Sequence, residues 1–174
     1  MKKIFTLFFA LFVMVFCAKA QYLLQEGFDG ATLPTGWTAI DADNDGYNWD
    51  TEYWPATSTN PAHTGSNCIA SASYINDIGA LNPDNWLISP AVTLTANSTL
   101  SFWVADFSYP ETYTVYISTT TPTIPAFTTV LMTGTTNEDE IVYEQKNVDL
   151  SSSLAKPFTS LSITIIQTTT IGCS

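Results

Sequence analysis

At 174 residues the chain is long enough for one ordinary domain, and a hydrophobic content of 45% supplies a core, which excludes intrinsic disorder. Only 12% of residues are charged, sixteen acids against five lysines with no arginine, so a groove that neutralises nucleic-acid phosphates is excluded.

Met1-Lys2-Lys3, the apolar run from Ile4 to Phe16, and Ala18-Lys19-Ala20 are the three parts of a secretory signal peptide over residues 1–20, with Gln21 as the mature N-terminus. The run is shorter than the roughly 20 residues that cross a bilayer, so no membrane association is expected after cleavage. Bulky Phe16 argues against lipid attachment at Cys17. Cleavage leaves Lys146 and Lys156 against all sixteen acids, a net charge of −14. Such a surface repels itself and calls for high salt or bound cations. Two cysteines remain, Cys68 and Cys173, which an oxidising compartment lets pair only if the fold brings their Cα atoms within about 4–7 Å.

Along the mature chain apolar and polar residues alternate with period two, as in Leu100/Phe102/Val104 against Ser101/Trp103/Ala105 and Tyr113/Val115/Ile117 against Thr114/Tyr116/Ser118. Further strands are predicted at 23–27, 37–41, 68–73, 86–89, 130–133, 142–149 and 161–167, separated by Pro, Gly, Asn and Asp clusters. No long window carries a capped helical period. The pattern predicts an all-β fold, a jelly-roll β-sandwich of two antiparallel sheets, and excludes parallel α/β folds. Residues 21–174 form one domain, the Thr/Pro stretch 119–125 being a connection between strands. Trp37, Trp86 and Trp103 are assigned to the core on alternation.

The most specific local pattern is Asp41-Ala42-Asp43-Asn44-Asp45-Gly46, with Glu52 at the twelfth position of a calcium-loop spacing. Hard carboxylate oxygens suit a hard cation, and Gly46 permits the turn that lets Asp41, Asp43 and Asp45 converge. The flanking Leu33-Pro34-Thr35-Gly36-Trp37 and Tyr53-Trp54-Pro55 are not the helices of an EF-hand. An Asx-rich turn without metal is the plainer reading, since exposed turns use the same residues. Against it stands the charge density, with Asp50 also nearby and no basic residue in the stretch. Glu26 and Asp29 join the group if the first strand runs beside the loop.

Tyr47, Trp49, Tyr53 and Trp54 crowd the acidic loop and are candidates for a ligand-binding surface, rings on a sugar face beside polar groups that hold hydroxyls. The competing expectation is that half of them are core. Phe107 and Tyr109 make a second candidate rim. Catalytic signals are weak: His63 and Cys68 lie five apart without a protease signature, and no nucleophile elbow, zinc motif or phosphate loop is present. No catalytic residue is assigned.

Glu26-Gly27-Phe28-Asp29, Leu33-Pro34-Thr35-Gly36-Trp37, Ile40 through Gly46, Pro83-Asp84-Asn85-Trp86-Leu87-Ile88-Ser89-Pro90, Leu100 through Val104 and Glu111 through Ser118, in that order, resemble the cleaved adhesin domain family, the haemagglutinin/adhesin modules attached to gingipain-type proteases of Bacteroidetes. The resemblance implies a jelly roll with structural calcium, secreted or held at the cell surface, used for adhesion to host protein, red cells or glycan. It carries over Glu26, Asp41, Asp43 and Asp45 as metal ligands, and does not carry over Glu52. The tail, 168–174, departs from the family's pattern of a further strand with adjacent aspartates and reads as a truncation or frameshift. On that reading the sandwich lacks its last strand, the metal site loses a carboxylate, and Cys173 is an accident of frame.

Three expectations follow. The first is a secreted, calcium-stabilised, non-catalytic adhesion module for host protein or carbohydrate. The second is an accessory or remnant adhesin domain of a secreted cysteine-protease system, and the third a nonfunctional fragment.

Overall fold

The computed structural model describes residues 21–51, 62–106, 109–137, 141–155 and 162–167, with backbone alone at 154–155 and 162–167. The leader 1–20, Glu52, Tyr53, Trp54, Phe107, Cys173 and the tail beyond Gln167 lie outside the described residues.

Nine strands follow in chain order: β1 (Thr38–Asp41), β2 (Tyr74–Ile75), β3 (Gly79–Ala80), β4 (Asn85–Ile88), β5 (Thr99–Val104), β6 (Thr112–Ser118), β7 (Thr129–Thr135), β8 (Glu144–Asp149) and β9 (Ser162–Gln167). Short 3-10 turns at Ile124–Ala126 and Ser151–Ala155 are the helical elements among the described residues. One sheet has the order β1-β4-β9-β6-β7, antiparallel at every pairing. A second sheet pairs β5 with β8, and β2–β3 is a separate hairpin. The chain thus leaves the large sheet after β4, returns for β6 and β7, leaves again for β8 and comes back for β9. That repeated crossing between two antiparallel layers is the path of a jelly-roll sandwich.

Period-two alternation decides which side chains meet between the layers. Leu87 of β4 and Tyr113, Val115 and Ile117 of β6 face Phe102 and Val104 of β5 and Val148 of β8, with Trp49, Ile69 and Phe28 filling in. Phe102 meets Tyr113 edge-on across the layers, ring centroids 6.0 Å apart. The large sheet is covered on its other face as well, where Trp86 and Ile88 pack on Phe127, with Ile40, Tyr116 and Ile124 around them. This explains why β4 is buried at all four positions and lacks a polar phase. In β7 the register slips so that Val115 faces Met132 and Tyr116 faces Val130. Leu131 is the extra residue of that bulge, so consecutive Leu131 and Met132 both reach the core.

Three expectations need correction. Residues 23–27 form no strand: Glu26 Oε1 accepts the N–H groups of Gly27 at 3.0 Å and Phe28 at 2.8 Å, and Phe28 turns to φ 56°. Both bend the chain away from a ladder. Residues 68–73 are extended and largely buried but pair only at Ala70, with Asp50. Trp103 is not core: it takes the opposite phase to Phe102 and Val104, is half-buried on the outer face of the small sheet, and stacks on His63 at 3.8 Å. Trp37 is half-buried at the core margin against Phe28, and Trp86 is buried.

Candidate metal site and its surroundings

β1 delivers the acidic loop from a fixed frame. Asp41 is its last residue, opposite Asn85, and the ladder runs one step further as Ala42 donates its N–H to the Asp84 carbonyl at 3.0 Å. The Asp41 carboxylate then folds the loop around itself: Oδ1 accepts from Asn44 N–H at 2.7 Å and Oδ2 from Gly46 N–H at 2.9 Å. Asn44 at φ 59° and Gly46 at φ 89° supply the left-handed backbone this needs. Asp45 Oδ1 accepts from Tyr47 N–H at 2.8 Å. The outcome is that one carboxylate oxygen from each of Asp41, Asp43 and Asp45 lies within 4.8 Å of the others, with Asp41 half-buried and the other two exposed.

Crowding separates their acidities. Asp43 is raised above its ordinary value, first by desolvation, then by its hydrogen bond with Asp41 and the charges of Asp45 and Asp41. For Asp41 desolvation pushes upward, but the N–H of Gly46, the hydrogen bond with Asp43 and the N–H groups of Asn44 and Asp45 outweigh it and the value falls. The backbone bonds are those of any Asx turn. Asp43 is different: no backbone N–H of a neighbouring residue holds its carboxylate in place, and its charge is disfavoured where it stands.

The donor set fits a hard divalent cation. Calcium takes oxygens at about 2.3–2.6 Å, so two on one ion are at most about 5 Å apart. A 4.8 Å cluster of carboxylate oxygens is of that size. Three acids leave several coordination positions for carbonyls and water.

Among the described residues this is the one convergence of three such groups, and Glu26 and Asp29 stand outside it. Glu26 caps its own turn, and Asp29 Oδ1 accepts from Ser66 N–H at 2.8 Å while Asn67 donates to the Gly30 carbonyl at 3.2 Å. Asp29, together with Asn67, ties the N-terminal segment to residues 66–67 while Glu26 is turned onto its own backbone, which is a correction to their expected place beside the loop. It follows from the missing strand at 23–27.

Of the four aromatics expected at a ligand surface, Trp49 is 4% exposed, part of the core, and donates its indole N–H to the Asn85 carbonyl at 3.1 Å. Its position on the extended run that bridges to Ala70 turns it inward, so it is corrected from surface to core. Tyr47 is half-buried beside the loop. Tyr109 of the second rim is exposed at 76%. The His63/Cys68 dyad is ruled out, because Cys68 is disulfide-bonded and His63 lies flat on Trp103 with Tyr143 edge-on at 5.3 Å. Sequence reasoning passed over Asp106, which is buried. Its signal was present in the chain: it continues the inward phase of Phe102 and Val104.

The Cleaved Adhesin Domain family profile matches residues 21–158. Hemagglutinin A of Porphyromonas gingivalis is 43% identical over 106 residues, 59% of this chain and 4% of that protein. Lys-gingipain W83 of the same organism is 42% identical over 106 residues, 59% of this chain and 6% of that protein. The match therefore spans a small fraction of the length of these curated relatives. Among solved structures, the K1 cleaved adhesin domain of Lys-gingipain from P. gingivalis W83 superposes with a TM-score of 0.68 at 28% identity, covering 86% of this chain and 92% of that one. The K2 domain of Lys-gingipain gives 0.67 at 26% identity, covering 86% and 94%. With the sandwich, the acid-rich loop after β1 and these likenesses together, the chain belongs to the Cleaved Adhesin Domain family.

Proposed function

We propose that this chain is a secreted, calcium-stabilised adhesion module, without chemistry of its own, that binds host protein or carbohydrate through loops around Tyr47. The observation that carries the reading is the convergence of Asp41, Asp43 and Asp45 at the end of β1. A divalent ion there offsets the mutual repulsion of three acids and fixes the loop that leads to Tyr47. The family's adhesin modules supply the rest, Hemagglutinin A being named for binding to red cells.

Calorimetric melting in excess chelator and in excess calcium tests the metal. Calcium is expected to raise the melting temperature reversibly, and Asp43→Asn to abolish most of that gain while raising the metal-free melting point by roughly 1–2 °C, the scale of an exposed charge interaction. Identical melts with and without calcium would sink the metal reading.

A second reading is favoured by the likeness to Lys-gingipain, where the matched stretch is 6% of that protein: the chain serves as an accessory adhesin domain of a secreted cysteine-protease system. Capture of such a protease from the producing organism's medium supports it. Peptide hydrolysis by the purified chain overturns both readings.

A further inference from the structure

Asp106 is 4% exposed, and neither Oδ1 nor Oδ2 has a hydrogen-bond partner. It follows β5 by two residues and keeps the inward phase of Phe102 and Val104, so its carboxylate is carried into the interior at the end of the small sheet. Its backbone is pinned there, the carbonyl accepting from Ile141 N–H at 3.0 Å. A buried carboxylate without a counter-charge is among the most costly groups a fold can carry. Water would fill lone pairs and leave the charge unmatched.

The chain supplies no cation of its own among the described residues. It has no arginine, and Lys146 is committed to Glu144 Oε2 at 2.7 Å. The other lysines, Lys2, Lys3, Lys19 and Lys156, lie outside the described residues. The β5–β8 register then brings one more acid to the same end. Glu144 stands opposite Val104, the last residue of β5, so it sits at the end of the small sheet from which Asp106 follows by two residues. Glu144 Oε1 makes no hydrogen bond, Oε2 alone holding Lys146.

The geometry points to a second divalent-cation site at the inner end of β5, with Asp106 as its principal ligand and Glu144 as the supporting acid. The cation is of the calcium class, because the donors are hard carboxylate oxygens with no imidazole or thiolate among them. The site is separate from the loop after β1 and does not depend on it. Where the loop ion would fix an exposed turn, this one would neutralise a charge between the two sheets.

The experiment is calcium titration by calorimetry, with terbium luminescence as a second probe, on the secreted chain freed of metal by chelation. Wild type, Asp43→Asn, Asp106→Asn and Glu144→Gln are compared. Wild type is expected to bind two equivalents; Asp106→Asn loses one of them and keeps the one that Asp43→Asn loses, and Glu144→Gln weakens the Asp106 equivalent by about tenfold. Loss of a single wild-type equivalent on Asp106→Asn but not on Asp43→Asn supports this site and removes the loop site. Full calcium stoichiometry in Asp106→Asn overturns it, as does a single wild-type equivalent that only Asp43→Asn abolishes, or no binding at all. Should Asp106→Asn fail to fold, Glu144→Gln and anomalous density from terbium-soaked crystals of the wild type decide: an ion bonded to Asp106 supports the site, and a terbium-occupied crystal with none there overturns it.

Discussion

Asp149 shows how much a single exposed carboxylate does when the backbone is shaped around it. It closes β8 and accepts the Ser151 N–H at 2.8 Å, opening the 3-10 turn Ser151–Ala155. The Ser151 side chain and then its backbone N–H hold the carboxyl below its ordinary value of 3.8, against a smaller desolvation effect. A depressed folded value means a contribution present above the unfolded value and lost as pH falls through the folded one. Asp149→Ala is therefore expected to lower the melting temperature at neutral pH, with the gap to wild type closing as pH drops below 3.8; melts across that range check it. Trp49 makes a contrasting case, because its role is packing plus one buried hydrogen bond. Trp49→Phe is expected to cost about 1–3 kcal/mol in urea unfolding and to leave any glycan affinity unchanged.

At the scale of elements, the pairing of β6 with β7 rests on a close approach. Tyr113 faces Gly134 across the ladder, and a Cβ at Gly134 would run into Tyr113 Oη and Cζ and come within 2.9 Å of Cε1. The ring is 1% exposed and has nowhere to go; its Oη has no partner, and burial, with the Glu144 charge second, pushes the phenol up to about 12. Gly134→Ala is expected to destabilise by about 1–3 kcal/mol, and adding Tyr113→Phe to recover part of the loss, both read from chemical denaturation. β5 and β6 were legible from alternation, and β1, β4 and β7 through β9 lie close to their predicted spans because Pro, Gly, Asn and Asp clusters bound them. The two-residue strands of the β2–β3 hairpin are too short to show a period. The failure at 23–27 has a different origin, since the Glu26 side chain captures backbone donors that a ladder would need, a competition invisible to a hydropathy pattern. In the candidate site, Asp41, Asp43 and Asp45 were readable because their spacing is local. Asp29 and Trp49 were misplaced because their partners, at Ser66 and in β4, are far away in sequence, and Glu26 because its side chain takes the adjacent backbone donors. Trp103 was misread because alternation fixes which residues share a face but not which face is inward.

For the molecule as a whole, charge and copy number set how adhesion would work. With the expected leader removed the charge would be −14, and such a surface would repel other acidic surfaces, including copies of itself, over a screening length of about 8 Å at physiological salt. A single such module offers a small contact, and the K1, K2 and K3 domains of Lys-gingipain, all of this fold with TM-scores of 0.64 to 0.68, show that one protein carries several. Linking modules turns the second binding event into an intramolecular one, which raises avidity by about 10²–10⁴ without any new contact. The isolated chain is therefore expected to bind red cells weakly and not to agglutinate them. The same chain coupled densely to beads should be retained about 10²–10⁴ times more tightly, and more so as salt is raised from low ionic strength toward about 0.15 M, because screening relieves the repulsion between neighbouring copies. Cell-retention assays with free and bead-bound protein, each with calcium and with chelator, check this: equal retention of the two forms would mean that multivalency contributes nothing, and retention that survives chelation would separate adhesion from the metal proposed for the loop.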